Sequence, residues 1–184
     1  MRWDDLFADL EGQFSALASG ELGGEVADRT RREAALVRLV DRLRGSLDRS
    51  VRLGLPGGGT VAGRLASVGC DWALVDADTG GEVVVALAGV LTVAGLGPAA
   101  ASPETESVLD ARLDLRIALR SIARDRAAVR IVLVDGAELT GTIDRVGADH
   151  IELAEHPVAE PRRRSEVRAV RVVPLHALAA VRSL

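Results

Sequence analysis

The chain has 184 residues, 48% of them hydrophobic and 27% charged, with a formal net charge of −4. That length and balance suit one large domain or two small ones with a buried core, and they lack the overall basic footprint of a nucleic-acid binder. All basic residues are arginine, and Lys, Asn and Tyr are absent, a bias that fits a GC-rich bacterial genome better than selection for guanidinium chemistry. The single cysteine, Cys70, excludes an internal disulfide and fits a reducing, cytoplasmic setting.

The N-terminus carries Asp4, Asp5 and Asp9 where a secretory signal would be basic. Residues 2 to 18 read as an amphipathic helix, with Trp3, Leu6, Phe7, Leu10, Phe14 and Leu17 on one face. Three of the four aromatic residues lie on that face, which makes it a candidate docking or dimerisation helix for a protein partner. Its acidic polar face argues against a membrane surface. Gly20, Gly23 and Gly24 end this first segment, residues 1–24. A second helix is expected over roughly residues 25 to 48, striped by Leu36, Leu39, Val40, Leu43 and Leu47.

From Val51 the chain begins a pattern that it later repeats. Residues 51–75 (VRLGLPGGGTVAGRLASVGCDWALV) align without a gap on residues 129–153 (VRIVLVDGAELTGTIDRVGADHIEL), an offset of 78 residues. In the first copy, Val51, Leu53 and Leu55 alternate and Pro56-Gly57-Gly58-Gly59 turns the chain. Val61 to Val68 lead to a corner at Gly69 and Asp71, and strands follow through Val75, over 82–87 and from Val90. Gly63 and Gly141 fall inside strands, which marks a sharp bend or a close backbone approach. Asp71 and Asp149 recur at the same corner and are expected to bond turn amides. Cys70, aligned with Ala148, is expected to be buried as a small apolar residue. The glycine-rich turn is no phosphate loop, because no Lys-Ser/Thr and no helix follow it.

Residues 83–101 carry no charge, but Gly89, Gly95, Gly97 and Pro98 interrupt them and the second copy places arginines in the matching region. No membrane span is therefore expected. Residues 25–96 form the first helix-plus-strands unit and 97–103 a linker. Residues 104–184 form the second unit, whose helix starts at Ser102-Pro103 and runs to about Arg126 through Val108, Leu115, Leu119 and Ile122. Asp135-Gly136 makes the hairpin turn. The loop from His156 to Ser165 is about ten residues longer than its twin. It carries Arg162, Arg163 and Arg164, which with Arg168 and Arg171 make the one local basic run, a candidate contact for nucleic-acid phosphate. His150, Glu152, Glu155 and His156 have no matching ligands in the first copy and read as solvated rim residues rather than a metal site. No nucleophile, acid–base or cofactor motif is present.

A helix followed by five short bent strands, with Val132-Leu133-Val134-Asp135-Gly136, Leu139, Gly141, Ile143, Val146, Ile151 and Leu153 in the first of them, resembles the Sm/LSm superfamily in its bacterial Hfq-like form. His176-Ala177-Leu178 and Val181 resemble that family's corner before the last strand. The resemblance covers roughly residues 105–184 and, more weakly, 30–96. It implies an α+β chain of two tandem five-stranded small barrels. It also implies rings in which the fourth strand of one barrel pairs with the fifth of the next, and RNA at positions 147–150 and 175–177, including His150 and His176. This chain has Leu175 where the family has a basic residue, and Leu87-Ala88-Gly89 at the first corner.

The resulting expectation is a non-enzymatic assembly module without metal or cofactor, forming homo-oligomers through helices and through strand edges near Val83–Leu87 and Val167–Val173. The alternative is an RNA- or DNA-binding regulator acting through the arginine loop.

Overall fold

The computed structural model describes residues 34–101, 113–157 and 168–184, and Leu39–Leu184 form one compact unit. Helix α1 (Leu39–Arg44) leads into β1 (Ser50–Gly54), β2 (Thr60–Val68), β3 (Trp72–Ala77), β4 (Glu82–Ala86) and β5 (Thr92–Ala94). Helix α2 (Leu115–Asp125) leads into β6 (Ala128–Leu133), β7 (Glu138–Val146), β8 (His150–Glu155), β9 (Ala169–Pro174) and β10 (Leu178–Ser183). The fold is α+β. Its ten strands form one open sheet in the order β5-β1-β2-β3-β4-β10-β6-β7-β8-β9. Each half thus has the same internal order: fifth, first, second, third, fourth.

The sequence repeat is repeated in the backbone. Val51 pairs with Gly63 as Val129 pairs with Gly141, and both second strands bulge at the same place, between Leu65 and Ser67 and between Ile143 and Arg145. Gly63 and Gly141 are close-approach sites. A Cβ at either would lie 2.0 Å from the Asp76 carbonyl oxygen or 2.1 Å from that of Ala154. Only glycine lets the next strand come so near. The longer loop then shifts the correspondence: Trp72 faces Ala86 as His150 faces Pro174, so β4 and β9 match at an offset of 88 residues.

Within the described residues neither expected helix is continuous: Val37 and Arg38 interrupt the first one. Of the expected stripe only Val40 and Leu43, in α1, are buried, while Leu36 before it, Leu39 at its start and Leu47 after it are exposed. A six-residue helix presents less than two turns to the sheet. Asp48 and Arg126, 78 residues apart and both left-handed, turn the chain from each helix region into the first strand of its half. Helix α2 begins at Leu115, with the Asp114 carboxylate accepting the Ile117 amide as N-cap. The helix start expected at Ser102-Pro103 lies outside the described residues, but Leu113 and Asp114 are not helical, so a continuous helix to Arg126 is not formed. Among the described residues no helix is long and apolar enough to cross a membrane. Most of the uncharged stretch is β4, a tight 3-10 corner and β5.

Candidate functional site

The two halves meet where β4 pairs with β10, with Val83 opposite Arg182, Val84 opposite Val181 and Val85 opposite Ala180. Here the expected free edge at Val83–Leu87 is overturned: β4 is an interior strand. Its run Val83-Val84-Val85 is buried on both faces, as a continuous apolar strand should be. Val83 and Val85 enter the first core beside Leu53, Leu65 and Val75. Val84, Ala86 and Trp72 enter the second core, beside Ile131 and Val181. In return β10 lends Ala180 to the first core. Each half thus completes the other's interior.

Trp72 is a residue of this joint that the sequence reading missed. Its indole Nε1 donates to the Leu113 carbonyl at 2.9 Å, and the ring lies against Gly69, where a Cβ would sit 2.1 Å from Nε1. The same corner holds the approach to α2. The Cys70 amide donates to the Leu113 carbonyl at 3.2 Å, and the Leu115 amide donates to the Asp71 carboxylate at 2.7 Å. Asp71 therefore reaches the start of the next helix, a longer-range task than the turn bond expected for it. Cys70 is only partly buried, and burial together with the Asp71 carboxylate pushes its thiol pKa up.

Among the described residues, the fourth strand of the second half has no such neighbour. β9 pairs with β8 and ends the sheet, and β5 ends it on the other side. The edge expected at Val167–Val173 is therefore present, as Ala169–Pro174. Repeat-equivalent residues show what is missing. Val84 is 7% exposed, while its twin Val172 is 63% exposed. On the fifth strands, buried Ala179 has as its twin Leu91, which is 67% exposed.

The corner of the second half brings two predicted positions together. The Leu175 amide donates to the Asp149 carbonyl at 2.7 Å, and His150 Nδ1 lies 2.8 Å from the Asp149 carboxylate. Hydrogen bonding and charge from His150, with a contribution from His176, hold the Asp149 carboxyl below the usual range. His150, Asp149 and His176 thus share one end of the half, at the place where the first half puts Trp72 and Asp71. Arg168 is exposed at the start of β9, whereas Arg171 Nε is already paired with Glu155 at 2.7 Å.

His156 is not a rim residue. It is 3% exposed, its Nε2 is 2.9 Å from the Thr142 hydroxyl and its Nδ1 is 2.9 Å from the Pro157 carbonyl. Because that carbonyl can only accept, His156 Nδ1 donates to it. Among the described residues no cluster of His, Cys, Asp and Glu is arranged to hold a metal ion. Arg162, Arg163 and Arg164, and Trp3, Leu6, Phe7, Leu10 and Phe14, lie outside the described residues.

Comparison with protein-family models, with curated proteins and with solved structures gave no significant match.

Proposed function

We propose that this chain is a non-catalytic assembly module that joins copies of itself head to tail, the β9 edge of one copy pairing with the β5 edge of the next. The contrast between buried Val84 and exposed Val172 carries this reading. The chain forms this kind of joint once internally and holds a second pair of equivalent strands with no neighbour among the described residues. Unpaired edges bearing apolar side chains are templates for further strand pairing. Transposing the internal register gives the expected one: Val172 faces Val93 of the next copy, Val173 faces Thr92 and Arg171 faces Ala94. A head-to-tail contact closes into a ring when its rotation divides a full turn and otherwise extends as a filament.

The finer architecture belongs to the same proposal: each set of five strands curves as an Sm-like small barrel. The shared strand order, the two close-approach glycines and the matched bulges support it, since bulges and glycines are the usual means of curving a sheet. The nucleic-acid alternative draws no specific support from the described residues, because Arg171 is already paired.

Light scattering on the full chain, at concentrations on the order of tens of micromolar for a modest interface, tests the assembly. Wild type is expected to form oligomers, and Val172→Arg is expected to be monomeric and folded. The companion variant Trp3→Ala with Phe7→Ala shows whether the N-terminal segment adds to the contact. A monomeric wild type, or a Val172→Arg protein that assembles unchanged, would refute the strand-edge reading. Salt-sensitive RNA or DNA binding lost with Arg162, Arg163 and Arg164 replaced by Ala would favour the alternative.

A further inference from the structure

The internal joint also frames a cleft whose charges are not balanced. Arg130 on β6 and Arg182 on β10 stand directly opposite each other in the strand register, and both line a cleft of about 240 Å³ between the halves. Like charges placed opposite across a strand pair are destabilising when nothing neutralises them. The one carboxylate lining the cleft is Glu138, 3.7 Å from Arg130 Nε. Among the described residues Arg182 has no ion-pair partner. The cleft therefore holds two guanidinium groups against one carboxylate, over apolar walls from Leu55, Val83 and Val132.

Two of the turns that line the cleft meet closely. Gly57 and Gly136, both at positive φ, approach so nearly that a Cβ on Gly57 would lie 2.9 Å from the Gly136 Cα. The repeat supplies an internal comparison. Arg130 keeps its twin in Arg52, but Arg182 is matched by Ala94 and Glu138 by Thr60. The arginine pair exists only where the two halves of one chain meet.

We propose that this cleft is a binding site for a phosphate-type oxyanion, held between the guanidinium groups of Arg130 and Arg182. Guanidinium is suited to such anions because its planar array of donors matches two oxygens at once. At this volume the cleft takes the phosphate group of a small ligand rather than a whole drug-sized molecule, whose pockets start at about 300 Å³. Because Arg182 sits on the strand that joins the halves, the bound anion also stabilises the internal joint by mass action. The proposal stands independently of the assembly reading.

Thermal denaturation of the full chain, in inorganic phosphate and in chloride of equal ionic strength, tests it. The expected result is a saturable rise in Tm with phosphate that chloride does not give. Arg182→Gln is expected to raise the chloride Tm, because it relieves the like-charge pair, and to weaken phosphate binding about tenfold or more, the usual effect of losing a charge-assisted hydrogen bond. Glu138→Gln is expected to tighten binding by removing the competing carboxylate. If Arg182→Gln fails to fold, Arg130→Gln and Glu138→Gln serve with phosphorus NMR line broadening as the readout. No phosphate-specific shift in the wild type, or an unchanged shift in the arginine variants, would overturn the proposal.

Discussion

The joint between β4 and β10 and the edges at β9 and β5 are built from repeat-equivalent strands, the first pair hydrogen-bonded to each other and the second without an outer partner among the described residues. Their residues differ in a consistent direction. Trp72 and Leu74 at the inner joint are replaced by His150 and Glu152 on the second half, and Ala180 on β10 is replaced by Thr92 on β5. The valine at the centre is kept, as Val84 and Val172. The inner joint is therefore built as core, whereas the outer edges are wetter surfaces with an apolar centre. The outer edge is also moderated: Arg171 and Pro174 sit on β9, the kind of residues that limit indiscriminate strand pairing.

The largest expected effect is at the inner joint. Val84→Arg buries an unpaired charge in the second core and should cost about 3–5 kcal/mol. Because the cores exchange Val84 and Ala180, both halves should unfold together. A single urea transition at lower midpoint is the expected result, and two separated transitions would show that the halves are independent. Next comes Trp72→His, which carries the outer residue into the inner joint. It removes a large buried ring and should cost about 3 kcal/mol, again read from urea unfolding.

Asp114→Ala is smaller, about 1 kcal/mol for a lost N-cap. The hydrogen bond from Arg116 is the main cause holding the Asp114 carboxyl below its ordinary value of 3.8, with the Ile117 amide adding to it. A carboxyl depressed in the folded state stabilises above its unfolded value and loses that contribution as pH falls through the folded value. The difference between wild type and Asp114→Ala should thus be full above about pH 3.8 and shrink below it. A difference that grew on acidification would contradict this. The smallest effect on stability belongs to Val172→Arg, within about 0.5 kcal/mol for an exposed position, although it is the variant expected to abolish assembly.

Much of this was legible in the residues. The gap-free alignment from Val51 to Val75 gave the strands, the hairpin turns and the close-approach roles of Gly63 and Gly141, because the two-residue period of strands and the steric demand of glycine are local. What the alignment did not give was which strand lies beside which. Alternation shows the buried face of a strand, but its neighbour is set by contacts distant in sequence. A clue was present in Val83-Val84-Val85: three consecutive apolar residues ask for cover on both faces, whereas Val170-Arg171-Val172 does not. The apolar stripe expected along the second helix is only partly used: Val40 and Leu43 are buried, whereas Leu39 at the start of α1 and Leu47 beyond its end are exposed, because a helix of under two turns buries one narrow face. Trp72 has His150 as its twin, so the repeat by itself gives no sign of a role for it in the fold. At the joint the two halves do different work, so the mismatch itself marked the site.

Cysteine cross-linking tests the equivalence of the two joints most directly. In a Cys70→Ala background, Val172→Cys with Val93→Cys should oxidise to a ladder of head-to-tail oligomers, since directly opposed residues on antiparallel strands lie within disulfide reach, about 4.5–5.5 Å between Cα atoms. Val170→Cys with Val93→Cys, two residues out of register, should cross-link far less. A ladder for the first pair and little for the second is the expected result. Cross-linking confined within single chains, or equal ladders for both pairs, would contradict the claim that the outer edges repeat the inner joint.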